Sequence, residues 1–167
     1  METKIINLFA GPGAGKSSMA HELMAKLKRA GRNAEYASEF AKDLVWSRRI
    51  ECMRCQPLIV GKQTHRIQRL IGQVEYIVTD CPILLCYSYS DTWPDSFKQG
   101  IVDTFKMFDE YNNNFFVLRN KPYSATGRLQ DEAEAKDLDN IVLSMLDRYK
   151  IKYSKVTFFE EVLEQIC

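Results

Sequence analysis

Residues 5–17 read Ile5-Ile6-Asn7-Leu8-Phe9-Ala10-Gly11-Pro12-Gly13-Ala14-Gly15-Lys16-Ser17, an apolar run that passes directly into a glycine-punctuated loop. A helical pattern begins at Ser17. Strand, glycine-rich turn and helix in this order form the context that a phosphate-binding loop requires. The glycines let the backbone fold tightly, so that successive N–H groups point inward at phosphate oxygens, and the helix that follows adds the positive end of its dipole. The stretch therefore predicts a nucleoside triphosphate site in which Gly11, Gly13, Ala14, Gly15, Lys16, Ser17 and Ser18 surround the phosphates of ATP. Lys16 would reach the β- and γ-phosphates. Ser17 would place its hydroxyl on Mg²⁺, a hard cation held by oxygen ligands, few of them from protein. Ala10 stands where the pattern usually opens with glycine, and its small side chain suits the same turn.

The chain has 167 residues, which fits a single domain over residues 1–167 with room for a real core. A formal net charge of +1 gives no basic field, so any contact with nucleic acid has to come from a local patch. No apolar run of membrane-spanning length and no signal-peptide pattern occurs, which predicts a soluble, cytoplasmic protein that makes no membrane contact. The five cysteines, Cys52, Cys55, Cys81, Cys86 and Cys167, are odd in number and scattered, as expected for reduced thiols rather than a secreted disulfide framework. Cys52 and Cys55 form a lone CxxC without a second pair, which makes them ordinary thiols rather than zinc ligands.

Strand-like and helix-like segments alternate along the whole chain, with no repeat and no linker. This predicts an α/β fold of three layers, a parallel sheet of mainly five strands covered by helices. Strands are expected at Lys4–Phe9, Asn33–Ala37, Glu75–Thr79, Asn114–Leu118 and Tyr153–Phe158. Helices are expected at Ser17–Ala30, Phe40–Arg49, Pro57–Gly72, Asp95–Tyr111 and Asp131–Tyr149. Ligands of such sheets bind beyond the carboxyl ends of the strands, so residues just after each strand deserve scrutiny.

Two acids answer to that placement. Asp80 closes the apolar run Tyr76-Ile77-Val78-Thr79 and is the first choice for the Mg²⁺ side, either as a ligand or through water. Glu39 follows the second strand, where an acceptor would approach the γ-phosphate, and it rivals Asp80 as the base that takes a proton from the acceptor hydroxyl. On the third helix, Lys62, Arg66 and Arg69 share one face and form a cationic stripe able to hold acceptor phosphates. Between the fourth strand and the last long helix, residues 119–131 form a lid in which Arg119, Lys121 and Arg128 would close over triphosphate and stabilise the charge of the transferring group. Asp131-Glu132-Ala133-Glu134 suits the start of the helix that follows.

On the loop Gly11–Ser17, the segments 39–46, 61–66 and 78–82, and the lid from Lys121 to Arg128, the chain resembles the small P-loop kinases of bacteriophages, a group similar to the ribosylnicotinamide kinase domain. The resemblance spans nearly the whole chain. It implies a kinase, and with the residues above the expected cofactors are ATP and Mg²⁺ and the expected catalytic residues Lys16, Asp80, Glu39 and Arg128. Some members of the group phosphorylate 5-hydroxymethyluracil in phage DNA, a step toward hypermodified thymine, and related members act on free nucleosides or nucleotides. Cys81 stands where serine is expected in that family.

The readings are ordered accordingly. The first is phosphoryl transfer to the 5-hydroxymethyl group of 5-hydroxymethyluracil in DNA, in the host cytoplasm if the chain is phage-encoded, with Trp46 or Tyr123 available to stack on an extruded base. The second is phosphorylation of a free nucleoside or nucleoside monophosphate. The third is a P-loop ATPase switch, against which Cys81 counts, because a hydrolytic motor normally carries a second acid after the strand-end aspartate.

Overall fold

The computed structural model describes residues 2–120 and 131–166. Its strands are β1 (Lys4–Phe9), β2 (Ala34–Tyr36), β3 (Tyr76–Thr79), β4 (Asn112–Val117) and β5 (Ser154–Val156). They form one sheet of five strands in the order β2-β3-β1-β4-β5, every neighbouring pair parallel. The helices are α1 (Lys16–Arg29), α2 (Phe40–Trp46), α3 (Gln56–Gln68), α4 (Asp95–Lys106), α5 (Glu132–Arg148) and α6 (Phe159–Ile166). Two 3-10 helices, Ile50–Arg54 and Ile83–Tyr89, complete the described elements.

Successive residues of a strand face opposite sides of its sheet, so a strand buried at every position has cover on both faces. Ile5 to Phe9 of β1 and all of β3 are buried, which makes the molecule a three-layer α/β structure. α1 packs on β1, β2, β3 and α6, while α3, α4 and α5 gather around the 3-10 helix Ile83–Tyr89. The edge strands β2 and β5 are three residues long each, too short to offer an inviting open edge.

The helix ends depart from expectation for visible reasons. α2 stops at Trp46, not Arg49, because Arg48 takes a left-handed φ of 57° that no helix can continue. α3 stops at Gln68 rather than Gly72, and α4 at Lys106 rather than Tyr111, each followed by a short turn. α5 begins as expected, with Asp131 and Glu134 forming a reciprocal capping box at 2.8 Å in both directions. Neither 3-10 helix was anticipated, nor was α6, whose last turn is pinned where Lys4 Nζ donates to the carbonyl of Ile166 at 2.7 Å. Among the described residues, no helix is long and apolar enough to cross a membrane.

One polar residue lies inside the central strand. Asn7 is buried, and its amide donates to Asn112 Oδ1 at 2.8 Å and Asn114 Oδ1 at 3.0 Å on β4. The amides of those two asparagines donate onward to the carbonyls of Phe105 and Lys152, tying β1 to α4 and to the approach of β5. Asn7→Ala removes the donor and leaves two half-buried acceptors without it, so denaturant unfolding is expected to report a loss of about 2 kcal/mol and a melting temperature lower by about 4–8 °C. An unchanged transition would mean that water satisfies the network.

Candidate functional site

The phosphate loop leaves β1 at Phe9 and enters α1 at Lys16. Gly13 and Gly15 hold positive φ angles of 79° and 100°, a conformation that a side chain would strain, and this is why glycine recurs there. Ala10 needs no such freedom, since positive φ among the described non-glycine residues is confined to Arg48 and Lys150. Gly11 is constrained by space instead. A Cβ added there would lie 2.4 Å from the carbonyl oxygen of Ala135 on α5.

That close approach belongs to a clamp. Asp139 of α5 accepts from the Gly11 amide through Oδ1 at 2.6 Å and from Arg119 Nε through Oδ2 at 2.5 Å. Arg119 also donates to the carbonyls of Pro12 at 2.9 Å and Ala135 at 2.8 Å. Arg119, expected on the lid as an ATP contact, thus sits against the phosphate loop and fixes its outer turn to α5. Asp139 carried no distinguishing signal in the sequence, being one of several acids on an amphipathic helix.

Lys16, Ser17, Glu39 and Asp80, from three separate segments of the sequence, line one cavity of about 290 Å³. β1 and β3 are neighbours in register, with Asn7 opposite Thr79, so the loop and Asp80 leave the sheet side by side. Ser17 Oγ donates to Asp80 Oδ2 at 2.5 Å. Asp80 is only 2% exposed, and its Oδ1 is buried with no hydrogen-bond partner among the described residues. A hydroxyl and an orphaned carboxylate oxygen at the mouth of a phosphate loop are hard donors of the kind Mg²⁺ takes, with phosphate and water completing its shell. Among the described residues there is no cluster of three or more His, Cys, Asp or Glu side chains that could hold a metal ion.

Lys16 Nζ donates to the carbonyls of Ala10 and Gly11 at 2.8 and 2.9 Å. Burial pulls its ammonium below the usual lysine range, while Glu39 and Asp80 hold it up. Glu39 occupies the N-cap position of α2 without a capping hydrogen bond, so its side chain is free for the cavity. Burial pushes its carboxyl above the ordinary carboxylate range, Lys16 opposes this, and Asp80 adds to it. The Tyr36 phenol at the end of β2 is raised too, by burial first and then by the Asp80 carboxylate. Cys81 is buried, and its hydrogen bond to Cys86 together with desolvation pushes its thiol up, which makes it an inert wall rather than a nucleophile.

The strand ends carrying these acids are locked by residues the sequence did not single out. Gln63 of α3 is fully buried. Its Oε1 accepts from the Phe40 amide at 3.1 Å and its Nε2 lies 3.4 Å from Thr79 Oγ1. Thr79 donates in turn to the Ala37 carbonyl at 2.9 Å and accepts from the Cys81 amide at 3.2 Å. Glu39 and Asp80 are therefore each flanked by residues bonded to a shared pair, Gln63 and Thr79.

The cationic stripe of α3 resolves into different parts. Arg66 donates to the Ser38 carbonyl at 2.9 Å and hydroxyl at 2.8 Å, pairs with Asp43, and stacks over Phe40 with 5.4 Å to the ring centroid. It thus binds the segment around Glu39 to α3. Lys62 and Arg69 are exposed and do not line the cavity. Lys121, Tyr123 and Arg128 lie outside the described residues.

The far end of the cavity is apolar and aromatic, formed by Val45, Trp46, Met53, Ile59, Leu85 and Tyr89. Trp46 remains 70% exposed at its rim. A second cavity of about 250 Å³ lies against the same loop, lined by Ala14, Gly15, Ser18, Met19, Asn120 and Phe158 among others. Gly15 and Ser18 border both. Of the proposed phosphate contacts, Gly13, Gly15, Lys16, Ser17 and Ser18 line the first cavity, Ala14 lines the second, and Gly11 faces α5.

If the clamp shapes the loop, Asp139→Ala weakens ATP binding roughly tenfold, or about 1.4 kcal/mol, since a partly buried charged acceptor of two hydrogen bonds is lost. Titration of the variant with ATP checks this. Affinity equal to that of the unchanged chain would reduce the clamp to a surface ion pair.

Comparison with known proteins agrees with this architecture. No curated protein matches the sequence. The fold is similar to that of a deoxyadenosine kinase from M. mycoides, solved with the products dCMP and a flexible dCDP bound, at a TM-score of 0.57 and 13% identity over 97% of this chain and 98% of that one. The chain thus has a P-loop kinase fold, and with residues 5–161 matching the family described as AAA domain, it belongs to that family.

Proposed function

We propose that the chain is an ATP- and Mg²⁺-dependent kinase that transfers the γ-phosphoryl group to a hydroxyl of a nucleoside-class acceptor. The observation that carries this reading is the pair of cavities that meet at Gly15 and Ser18. A protein that only hydrolyses ATP needs one cavity for nucleotide and an approach for water. Here the first cavity runs beyond the phosphate loop past the Glu39 carboxylate to an apolar, aromatic end suited to a base, and the second lies against the loop beside it.

The acceptor ring would lie among Val45, Trp46, Met53 and Tyr89, which sets its hydroxyl beside Glu39. Glu39 takes the hydroxyl proton as the oxygen forms its bond to the γ-phosphorus, the bond from that phosphorus to the β–γ bridging oxygen breaks, and ADP leaves. Of the rival bases, Asp80 is already committed to the Ser17 hydroxyl and favours the metal side, whereas Glu39 caps no amide. Lys16 exchanges its loop carbonyls for β- and γ-phosphate oxygens, and the amides of the Gly13–Ser17 turn bind the same groups. Ser17 and Asp80 would hold Mg²⁺, which would supply charge neutralisation on the transferring group. Arg128 of the lid is proposed to add a further cation there.

The finer acceptor is the 5-hydroxymethyl group of 5-hydroxymethyluracil in DNA, as the sequence resemblance implies. Trp46, exposed at the rim, supports it as a stacking platform for a base drawn out of a strand, with Lys62 and Arg69 free for backbone phosphates. A second reading, a free nucleoside or nucleoside monophosphate, is favoured by the cavity's size and by the commitment of Arg66 to Ser38 and Asp43.

Transfer of labelled γ-phosphate from ATP–Mg²⁺ to 5-hydroxymethyluracil DNA, unmodified DNA, nucleosides and nucleoside monophosphates separates these. Label on the modified DNA alone supports the first acceptor, and label on free nucleosides or monophosphates supports the second. Label released only as inorganic phosphate with every acceptor overturns the kinase reading.

Glu39 makes a second prediction through its raised pKa. A carboxyl whose folded-state value exceeds its unfolded value costs stability once pH rises above the unfolded value, and that cost disappears as pH falls through the folded one. Glu39→Gln should therefore raise the melting temperature at neutral pH while lowering turnover by about 10²–10⁴-fold and removing the acidic limb of the rate profile. A variant that melts lower and keeps that limb would exclude Glu39 as the base.

A further inference from the structure

Four charged residues line the first cavity, Lys16, Glu39, Lys42 and Asp80. The proposed reaction uses three of them, Lys16 for the triphosphate, Asp80 for the metal and Glu39 for the reacting hydroxyl. Lys42 is left without a task. It lies in the first turn of α2, three residues after the N-cap Glu39, and its ammonium makes no hydrogen bond and no ion pair among the described residues. The acid next to it, Asp43, is taken by Arg66. Residues three apart along a helix share a face, with about 5–6 Å between their Cβ atoms. The Glu39 carboxyl accordingly feels the charge of Lys42. An unpaired cation thus borders the cavity roughly one sugar ring away from the proposed base.

The charge around it has the same sign. Residues 40–69, which supply Ala41, Val45, Trp46, Met53 and Ile59 to the cavity wall, carry seven lysines and arginines against two acids, whereas the rest of the chain carries 16 against 20. Arg48, Arg49 and Arg54 are exposed and pair with no acid among the described residues. A chain that is nearly neutral overall therefore has a positive field on its acceptor side, which raises the local concentration of anions. An uncharged nucleoside gains nothing from such a field.

Resting on the kinase reading above, we infer that the acceptor carries a phosphate besides its reacting hydroxyl and that Lys42 binds this phosphate. Lysine does so as a point charge with three donors, without the fixed fork of arginine. The group comes either from a free nucleoside monophosphate or from a nucleotide within a DNA strand, and Lys42 serves both alike. A free nucleoside, lacking it, is the poor ligand.

The test measures binding to the whole chain with a non-hydrolysable ATP analogue and Mg²⁺ already present, so that the acceptor's phosphate does not compete for the phosphate loop. Deoxyuridine, 5-hydroxymethyldeoxyuridine, deoxycytidine and deoxyadenosine are each compared with their 5′-monophosphates and with the same nucleotides in short single-stranded DNA. For the base that binds, the phosphate-bearing ligand is expected to bind about tenfold more tightly than the nucleoside at low salt, with a gap that narrows as salt is added. In Lys42→Gln the gap is expected to close to within about threefold, and in Lys42→Arg, which keeps the charge, to persist. Affinity of either variant for the ATP analogue alone should stay within about twofold, since Lys42 serves the other ligand. A monophosphate that binds as tightly as the strand supports the free nucleotide as the source, and a tighter strand with a steeper salt dependence supports DNA.

Equal binding of nucleoside and phosphate-bearing ligand in the unchanged chain overturns the inference, whatever the variants do. So does a gap that survives in Lys42→Gln, or a loss of ATP-analogue affinity there, which would put Lys42 on the triphosphate. Each of these leaves the kinase reading intact. Failure of every acceptor to bind, with label released only as inorganic phosphate in the transfer assay, overturns both.

Discussion

The site depends on one pairing, the parallel register of β1 with β3. Asn7 lies opposite Thr79, so the chain leaves β1 for the phosphate loop at nearly the level where β3 ends in Asp80. A slip of one residue would turn every side chain of β3 to the other face of the sheet and carry Asp80 away from Ser17. Burial on both faces forbids such a slip, because Ile77 and Val78 would have to exchange their packing partners within a close-packed interior. The 2.5 Å contact between Ser17 and Asp80 is thus a consequence of the hydrophobic order of the core rather than an addition to it.

Around that fixed centre, two sets of polar contacts hold the movable parts. Gln63 and Thr79 bridge α3, the segment after β2 and the end of β3, and Arg66 anchors Ser38 and Asp43 on either side of Glu39. On the other side Arg119 and Asp139 tie the outer turn of the phosphate loop to α5. The first set positions the proposed base and the second the phosphate contacts. Both are side-chain bonds spanning partners far apart in the chain, which is how short loops keep a defined shape without regular structure.

The division between what sequence reveals and what it conceals follows from the range of the forces involved. β1, the glycine-rich turn and the capping box of α5 are local, and each was legible because a few consecutive residues determine it. Glu39 and Asp80 were legible from their place after strands. Arg66 was legible as a cation but not as a partner of Asp43, since nothing in a helical stripe says which element will meet it. Asp139 acts across 128 residues on Gly11 and 20 on Arg119, and Gln63 across 23 on Phe40 and 16 on Thr79. The 3-10 helix Ile83–Tyr89 was missed because its seven residues, Ile-Leu-Leu-Cys-Tyr-Ser-Tyr, carry neither a helical nor an alternating period and are shaped by α3, α4 and α5 packing around them.

The charges of the site also explain why its groups tolerate burial. Lys16, Glu39 and Asp80 share one cavity, one cation among two acids, and burial shifts Lys16 down and Glu39 up while the attraction between these two opposes both shifts. A buried cation alone would tend to lose its proton, and a buried acid alone would gain one, but their mutual attraction offsets part of both costs. In the proposed reaction, ATP would bring negative charge to Lys16 and so strengthen its hold on the proton, and Mg²⁺ would bring positive charge to Asp80. Ligand binding would then replace the internal pairing of these groups with external pairing on both sides, and Glu39, which gains neither partner, would stay available for the proton transfer proposed for it.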